Sequence, residues 1–248
     1  MLRGVRDRHV SGGLPIVDRR NSEWLHGYDH AMSTESAVYV EAIDHLPPGA
    51  ILVVPNVSWE QYEDLLEDLA DRPGVRVSYD QGRLQVMSPS AEHEEYKDSV
   101  ACLARALSEE LGVPLETHGS ATWKRRALRK GVEPDACFYV ANAHRVIGRR
   151  KIDLEADPPP DIVVEIDVTN ESLDKFSIYA ALGVPEIWRY DGARVQMFEL
   201  NADGYVGADG SRFFPGFSCS MLLEFLDLSK TRGQTEALKL FRPRIHAR

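Results

Sequence analysis

The first half of the chain alternates between helical and strand-like spacing of its apolar residues. Apolar residues at helical spacing follow Ser58, and Gln61 three residues later completes a capping box, which predicts a helix from Ser58. Alternating residues on both sides of Asp80-Gln81-Gly82 predict a β-hairpin. Residues 91–111 then place their apolar side chains on one stripe and stop at Gly112, which predicts a long helix.

The second half is organised around residues 161–168, with the sequence DIVVEIDV. Their β-branched side chains predict a buried strand, and residues 171–182, stopped by Gly183, predict a crossover helix leading to a further strand at 185–190. Additional strands are predicted at 115–125, from Glu133 onwards and at 194–200. Residues 125–131, 143–160 and 201–210 are predicted as loops, and residues 213–227 as a short helix that closes the core.

This order of elements predicts an α/β protein with a mixed β-sheet flanked by helices on both faces, and with an additional N-terminal helix and hairpin. Residues 1–36 show no lasting apolar period, so they are predicted to be a disordered tail. Residues 37–228 are expected to form a single domain. Residues 229–248 are expected to form a basic tail, because Lys and Arg outnumber acidic residues there.

Composition narrows the class of protein. The 248 residues carry a formal net charge of −10, which argues against a protein that coats nucleic acid with its whole surface but allows a local basic groove. No apolar run is long enough to span a membrane, and the charged N-terminus is unlike a secretory signal. The cysteines Cys102, Cys137 and Cys219 are scattered and odd in number, as expected for reduced thiols in a cytoplasmic protein.

Carboxylates interrupt the apolar strand in the second half of the chain. Glu165 and Asp167 are two positions apart and therefore point to one face of that strand, where burial is costly unless they are paired, protonated or bound to metal. Asp135 begins another strand, and Lys175 lies early in the crossover helix. Carboxylates of this kind hold Mg²⁺, and a nearby lysine can stabilise charge on a phosphodiester. The same pattern also fits structural salt bridges, and the residues alone leave both interpretations open.

Four motifs occur together in the chain: EPD at 133–135, the stretch beginning PPDIVVEIDV, the hairpin YDQGRLQVMSPSAEHE and the stretch GSATWKR. With these motifs, residues 52–200 resemble the Uma-two family, a branch of the PD-(D/E)XK nuclease superfamily. The resemblance implies a restriction-endonuclease-like core in which Asp135 and Glu165 bind Mg²⁺, with Mn²⁺ as a substitute. The superfamily lysine two residues after the glutamate is replaced here by Asp167. Lys175 instead lies in a K-x-x-x-Y-A-x-x-G-V pattern that the family shares.

His93 lies in the SPS-x-x-H stretch, where the family also carries a histidine, so the resemblance implies a role in the site. A half-exposed residue without a role is the alternative. Two basic segments, 124–130 and 145–151, precede the strands that carry Asp135 and Glu165, and such clusters contact phosphates. Solvated loops are the alternative there, and no groove-reading motif is visible.

Three functions remain open from the sequence. The first is a Mg²⁺-dependent endonuclease acting on DNA, with Asp135 and Glu165 on the metal, Asp167 assisting or binding a second ion, Lys175 stabilising charge and His93 orienting water or a phosphate oxygen. The second is an inactive nuclease fold that binds DNA or protein. The third is an accessory protein acting through the acidic helix at 58–71. A homodimer is compatible with cleavage of both strands, although no interface is specified, and no membrane partner is expected.

Overall fold

The computed structural model describes residues 34–70, 72, 74–168 and 173–245. Residues 1–33 of the predicted tail lie outside the described residues, and the first helix begins at Thr34, within the stretch assigned to that tail. None of the helices in the described ranges is long and apolar enough to cross a membrane. The helices are α1 (Thr34–Asp44), α2 (Trp59–Asp68), α3 (Ala91–Leu111), α4 (Ala143–Val146), α5 (Phe176–Leu182), α6 (Cys219–Arg232) and α7 (Gln234–Ile245).

The strands form two sheets rather than one. They are β1 (Ile51–Val54), β2 (Arg76–Asp80), β3 (Arg83–Met87), β4 (Glu116–Thr117), β5 (Trp123–Arg125), β6 (Lys130–Val132), β7 (Ala136–Tyr139), β8 (Ile162–Ile166), β9 (Glu186–Tyr190), β10 (Val195–Asn201) and β11 (Gly204–Ala208). The first sheet has the order β1-β3-β2-β6-β5, and its neighbouring strands are all antiparallel. The second has the order β11-β10-β9-β8-β7-β4, with β8 and β9 parallel and its other pairs antiparallel. The predicted mixed sheet is therefore confirmed.

Local signals in the first half of the chain produce the predicted elements. Ser58 Oγ accepts a hydrogen bond from Gln61 N at 3.1 Å, and Ser58 N donates to Gln61 Oε1 at 2.6 Å, so α2 begins with the expected capping box. The β2–β3 hairpin turns at Gln81 and Gly82, which both have positive φ and thus suit the tight turn. Helix α3 ends at Gly112 in the left-handed conformation, as predicted.

Helices cover both faces of the second sheet. One face packs against α3, α6 and α7 through a core that contains Val164 and Trp188. The opposite face packs against α4 and α5 through a core that contains Val163 and Ile187. Since side chains alternate along a strand, Glu165 shares the α5 face with Val163, and this face carries the candidate site.

Several loops and tails predicted from the sequence are ordered elements instead. Residues 115–125, expected as one strand, split into β4 and β5, which belong to different sheets. The predicted loops contain β6, α4 and β11. Strands β6 and β11 form because short, glycine-containing segments pair with strands distant or adjacent in the sequence. The predicted basic tail completes α6 and forms α7, since Ala237 and Phe241 lie on one side of α7 and are buried.

Candidate active site

Asp135 and Glu165 meet where β7 and β8 pair. Ala136 pairs with Val164 in the antiparallel register, so one further step places Asp135 opposite Glu165. Asp135 Oδ2 accepts a hydrogen bond from Ile166 N at 2.7 Å, and Asp135 N donates to the Val164 carbonyl at 3.1 Å. Both carboxylates are 1% exposed. Strand pairing thus fixes two buried carboxylates beside each other.

Lys175 and Tyr179 approach Glu165 from the crossover connection. Lys175 ends a 3₁₀ turn at Leu173–Lys175 that leads directly into α5, and its Nζ lies 2.8 Å from Glu165 Oε2. Tyr179 donates its hydroxyl to Glu165 Oε1. The sequence analysis did not select Tyr179. Its position four residues after Lys175, on the same side of a helical segment, is the signal that identifies it.

His93 contacts Asp135 from the first turn of α3. Ser90 Oγ accepts a hydrogen bond from His93 N at 3.2 Å, so the cap of α3 sets the position of this residue. The imidazole is buried, and its Nε2 lies 3.0 Å from Asp135 Oδ2. The two atoms are close enough for a hydrogen bond, but their angles do not meet hydrogen-bond geometry. The half-exposed alternative is therefore wrong, and His93 lies against one of the two predicted metal ligands.

Asp167 is engaged by a partner that the sequence analysis did not consider. Its Oδ2 lies 2.5 Å from Nε of Arg189 on β9, and both side chains are buried. Arg189 also donates to Gln196 Oε1 at 2.8 Å. Asp167 thus occupies the position of the superfamily lysine, but it carries a compensating cation of its own.

Arg76 of β2 also reaches the carboxylates, although the sequence analysis did not select it. Its Nε lies 3.7 Å from Asp135 Oδ1, and one of its terminal nitrogens donates to Glu94 Oε1 at 2.8 Å. Arg76 lies 59 positions before Asp135 in the sequence and belongs to the other sheet. No local pattern links residues that far apart, so only the assembled sheets reveal this contact.

Burial and neighbouring charges shift the pKa values of Glu165, Asp135 and Lys175 away from their ordinary values. Burial raises the pKa of Glu165 from 4.5 to about 8, and the negative charge of Asp135 adds to the rise, so that Lys175 and Tyr179 offset it only in part. Burial also opposes ionisation of Asp135, but His93 and Lys175 outweigh it and hold the pKa of Asp135 below 3.8. Burial would lower the pKa of Lys175, but Glu165 and Asp135 raise it above 10.5. Burial and the charge of Asp135 thus favour the protonated form of Glu165, whereas the charge of Lys175 favours its ionised form.

The oxygen atoms of this cluster suit a hard divalent cation with an incomplete protein shell. Asp135 Oδ1 is buried and has no hydrogen-bond partner among the described residues, whereas both oxygens of Glu165 accept hydrogen bonds. Within the same residues, no group of three or more His, Cys, Asp or Glu side chains is arranged to hold a metal ion. Mg²⁺ commonly uses one or two carboxylates and completes its shell with waters and phosphate oxygens. The arrangement of Asp135 and Glu165 is therefore more typical of an open Mg²⁺ site than of a closed structural metal site.

A family model named Uma2 and described as "Putative restriction endonuclease" matches residues 59–227, which is more than half of the chain. The chain belongs to the Uma2 family. This membership confirms the resemblance, and with the mixed sheet flanked by helices it supports the predicted restriction-endonuclease-like fold. It also indicates nuclease function. No curated protein sequence matches this Uma2 chain.

Glu133 continues the pairing of β6 with β2 in the first sheet of this Uma2 protein. Its Oε2 accepts a hydrogen bond from Val77 N at 2.9 Å, its Oε1 accepts from Thr122 Oγ1 at 2.5 Å, and its own N donates to the Val77 carbonyl at 2.9 Å. Burial raises the pKa of Glu133. We call Val77, Thr122 and Glu133 the Glu133 clasp. The clasp satisfies the Glu133 carboxylate, and the chain passes from it directly to Asp135.

Residues of the charged cluster line several pockets. A cleft of 830 Å³ is lined by Arg76, Glu94 and Glu133. Asp135 lines a pocket of 400 Å³, and Lys175 lines one of 170 Å³. Asp135 and Lys175 are thus buried side chains that line openings which solvent can enter.

The basic segments of the Uma2 chain differ in how much charge they leave unpaired. In the first, Lys124 pairs with Glu63 at 2.8 Å, Arg126 with both Glu60 at 2.7 Å and Glu63 at 2.6 Å, and Lys130 with Asp80 at 2.5 Å. In the second, Arg149 pairs with Asp157. Arg150 and Lys151 line a pocket of 480 Å³. Phosphate contact by these segments stays a prediction, and the second segment is the better candidate.

Proposed function

We propose that this chain is a Mg²⁺-dependent endonuclease that hydrolyses phosphodiester bonds in DNA, with Mn²⁺ able to replace Mg²⁺. One observation carries the proposal: Lys175 Nζ lies 2.8 Å from Glu165, which is opposite Asp135 on the neighbouring strand, and Lys175 and Asp135 each line an open pocket. Two carboxylates and a cation are the groups that metal-assisted phosphodiester hydrolysis requires. The family membership supports the same class of reaction.

Asp135 and Glu165 would be the protein ligands of the ion. When bound, Mg²⁺ would lower the pKa of a water molecule and neutralise negative charge on the phosphodiester. Asp135 is prepared for this role, because its pKa is held low and its Oδ1 has no partner among the described residues. Glu165 must lose a proton first, because burial raises its pKa to about 8.

Lys175 would supply a fixed positive charge beside the scissile phosphate. The neighbouring carboxylates raise its pKa above 10.5, so its ammonium persists at neutral pH. The hydrogen bond to Glu165 Oε2 and the start of α5 hold the ammonium in position. Tyr179 would orient the other oxygen of Glu165. Such preorganised charge costs no rearrangement during the reaction.

His93 and Asp167 would act through their neighbours. The buried ring of His93 lies against Asp135 Oδ2, which supports a role in orienting that carboxylate instead of contacting water or phosphate directly. Asp167 is paired with Arg189, and its negative charge contributes to raising the pKa of Lys175. We therefore assign Asp167 an assisting electrostatic role and do not assign it a second ion.

Cleavage and metal binding measured together test this proposal. The wild-type protein should cut DNA in Mg²⁺ or Mn²⁺ and should bind Mg²⁺ in a calorimetric titration. Asp135→Asn should lose both properties, because the amide oxygen is a weaker ligand for a hard cation than a carboxylate. Glu236→Gln, on α7, is the charge-matched control and should retain both. Equal cleavage by Asp135→Asn and wild type would refute the assignment of this site.

A DNA-binding module without cleavage is the second candidate function. It is favoured by the engagement of both Glu165 oxygens, which Lys175 and Tyr179 already occupy. A protein of this kind would bind DNA with strong salt dependence but would neither cut it nor take up Mg²⁺ at Asp135. The calorimetric titration described above distinguishes the two functions even if a suitable DNA substrate is not found.

A further inference from the structure

Arg76 has a buried donor without a partner. Its side chain is 7% exposed, and its terminal nitrogens donate to the Val75 carbonyl at 3.0 Å and to Glu94 Oε1 at 2.8 Å. Its Nε is buried and makes no hydrogen bond with any of the described residues. Buried polar groups are normally hydrogen-bonded, so an unpaired guanidinium donor needs an explanation.

The atom that faces this donor is also unpaired. Asp135 Oδ1 is buried without a hydrogen-bond partner in the described part of the chain, and it lies 3.7 Å from Arg76 Nε. That distance is too long for a hydrogen bond. A buried donor and a buried acceptor thus stand side by side without satisfying each other. A ligand that carries both an anionic oxygen and a cation would satisfy both atoms.

The space around these atoms is open to such a ligand. Arg76 lines the 830 Å³ cleft, and Asp135 lines the 400 Å³ pocket. Lys97 lines both, so the two openings adjoin. Ser90 and Thr122 add hydroxyl groups to the wall of the larger cleft. The wall therefore offers a cation and neutral hydrogen-bonding groups next to the paired carboxylates.

We propose that Arg76 binds a non-bridging oxygen of a DNA phosphate through Nε, while Asp135 Oδ1 holds the divalent cation associated with that phosphate. This inference rests on the proposed nuclease function and adds a second cation to it. Lys175 contacts Glu165 and lines a separate pocket. Arg76 lies beside Asp135 and lines the 830 Å³ cleft. Arg76 thus adds a positive charge beside Asp135 to the one that Lys175 places beside Glu165.

DNA binding without turnover is the measurement that tests Arg76. A fluorescently labelled short DNA duplex is titrated with protein in Ca²⁺, and anisotropy is recorded over a series of salt concentrations. Arg76→Met should weaken binding by about tenfold to a hundredfold, as expected for one charge-assisted hydrogen bond. The slope of log affinity against log salt should become shallower by about 0.9, because one phosphate contact is lost. Arg76→Lys should retain the slope but bind more weakly, since a lysine keeps the charge without the planar donor geometry.

Arg244→Met is the matched control, because it removes the same charge from an exposed position on α7. It should bind DNA with wild-type affinity and slope. Thermal melting checks that each variant folds. If Arg76→Met does not fold, the DNA affinity of Arg76→Lys alone tests the inference. Wild-type affinity in Arg76→Lys, or the same small effect in Arg76→Met and Arg244→Met, would overturn the inference.

The inference and the proposed function fail in different ways. Cleavage by the wild type, combined with wild-type DNA affinity in the Arg76 variants, would overturn the role of Arg76 and leave the nuclease proposal intact. Absence of cleavage on every DNA tested, combined with Arg76-dependent binding, would overturn the nuclease proposal and leave the phosphate contact in place.

Discussion

Two buried glutamates lie at opposite ends of the parallel strands β8 and β9. Glu186 begins β9 and pairs in register with Ile162, whereas Glu165, near the end of β8, pairs with Arg189. Both side chains are almost inaccessible to solvent. Burial raises the pKa of Glu186, as it does for Glu165. By burial and protonation alone, the two ends of this strand pair look alike.

Glu186 and Glu165 differ in the groups that contact their carboxylates. Glu186 accepts hydrogen bonds from the indole of Trp188 and from Arg212 N at 2.9 Å, so neutral donors hold it in place. Glu165 is beside a second carboxylate and a charged lysine, and the oxygen that remains unpaired belongs to that second carboxylate, Asp135. A buried carboxylate is therefore a weak sign of a site. A carboxylate pair with its own cation and an unsatisfied oxygen is a stronger one.

Removing the cation should produce the largest difference between the two ends. We predict that Lys175→Ala lowers the rate of Mg²⁺-dependent DNA cleavage about 10²–10³-fold, as expected for loss of a positioned electrostatic stabiliser. Glu186→Gln should cleave near the wild-type rate, because it leaves the charged cluster unchanged. Initial rates on one DNA substrate measure both.

The control for Lys175→Ala is Lys239→Ala, which removes an exposed lysine from α7. Lys175→Arg should keep part of the activity if charge is what matters and a compact ammonium is not required. Cleavage by Lys175→Ala at the rate of Lys239→Ala would exclude Lys175 from the mechanism.

The pH dependence of stability should show the raised pKa of Glu165. In the metal-free protein, Glu165 has a pKa of about 8 in the folded state against an ordinary value of 4.5, so the folded state holds more protons between these values. Its contribution to stability is therefore fully present below 4.5 and is lost as the pH rises through about 8. The free energy of unfolding of wild type relative to Glu165→Gln should fall over this interval by on the order of a few kcal/mol.

Urea denaturation at several pH values measures this difference, and Glu41→Gln on the exposed side of α1 controls for net charge. A difference that stays constant from pH 5 to about 9 would contradict the raised pKa. Mg²⁺ uptake near neutral pH should also release a proton if Glu165 is a ligand, because ligand carboxylates bind metal in their ionised form.

Removing the neighbour of Asp135 should have a smaller effect. We predict that His93→Gln weakens Mg²⁺ binding about 10–100-fold, which is typical for the loss of a group that orients a metal ligand. Isothermal titration calorimetry measures the affinity. His118→Gln is the matched control, because the ring of His118 packs against Trp123 and Tyr139 and is not part of the charged cluster. Equal affinities in the two variants would assign His93 to the core alone.

The smallest effect is expected at Tyr179. Tyr179→Phe removes the hydroxyl that donates to Glu165, and loss of one hydrogen bond should weaken Mg²⁺ binding by about threefold to tenfold. The same change should move the pH at which Mg²⁺ binding becomes half-maximal upwards, because the hydroxyl lowers the pKa of Glu165. Tyr139→Phe, which loses a hydrogen bond to the Pro158 carbonyl, should show neither effect in the same titration.

Local sequence was sufficient where an element is defined by its own residues. The capping box at Ser58, the turn at Gln81-Gly82 and the stop at Gly112 were all predicted correctly. Strand β6 was missed because its three residues become a strand only between β2 and β5. Gly131 in β6 resembles a loop residue, but a side chain there would collide with the Tyr62 hydroxyl. Helix α7 was predicted as a tail because the prediction followed its basic residues and overlooked the apolar residues Ala237 and Phe241.

The same division applies to the candidate site. Glu165 and Lys175 are ten positions apart on consecutive elements, so their proximity follows from a strand and its crossover connection. Arg76, His93 and Asp135 come from different elements, and their contacts depend on how those elements pack. The burial that raises the pKa of Glu165 likewise exists only in the assembled protein.

The Glu133 clasp has a consequence for how the protein responds to an ion. Glu133, which the clasp connects to Val77 of the first sheet, is two residues before Asp135. Thermodynamic coupling is reciprocal, so an ion that restrains Asp135 should also favour the closed clasp, and a closed clasp should favour the ion. We expect hydrogen exchange at the Val77 amide, measured by NMR, to slow when Mg²⁺ is added. Unchanged exchange would mean that the clasp moves independently of the charged cluster. A slowed rate would make this amide a reporter of occupancy that requires no DNA.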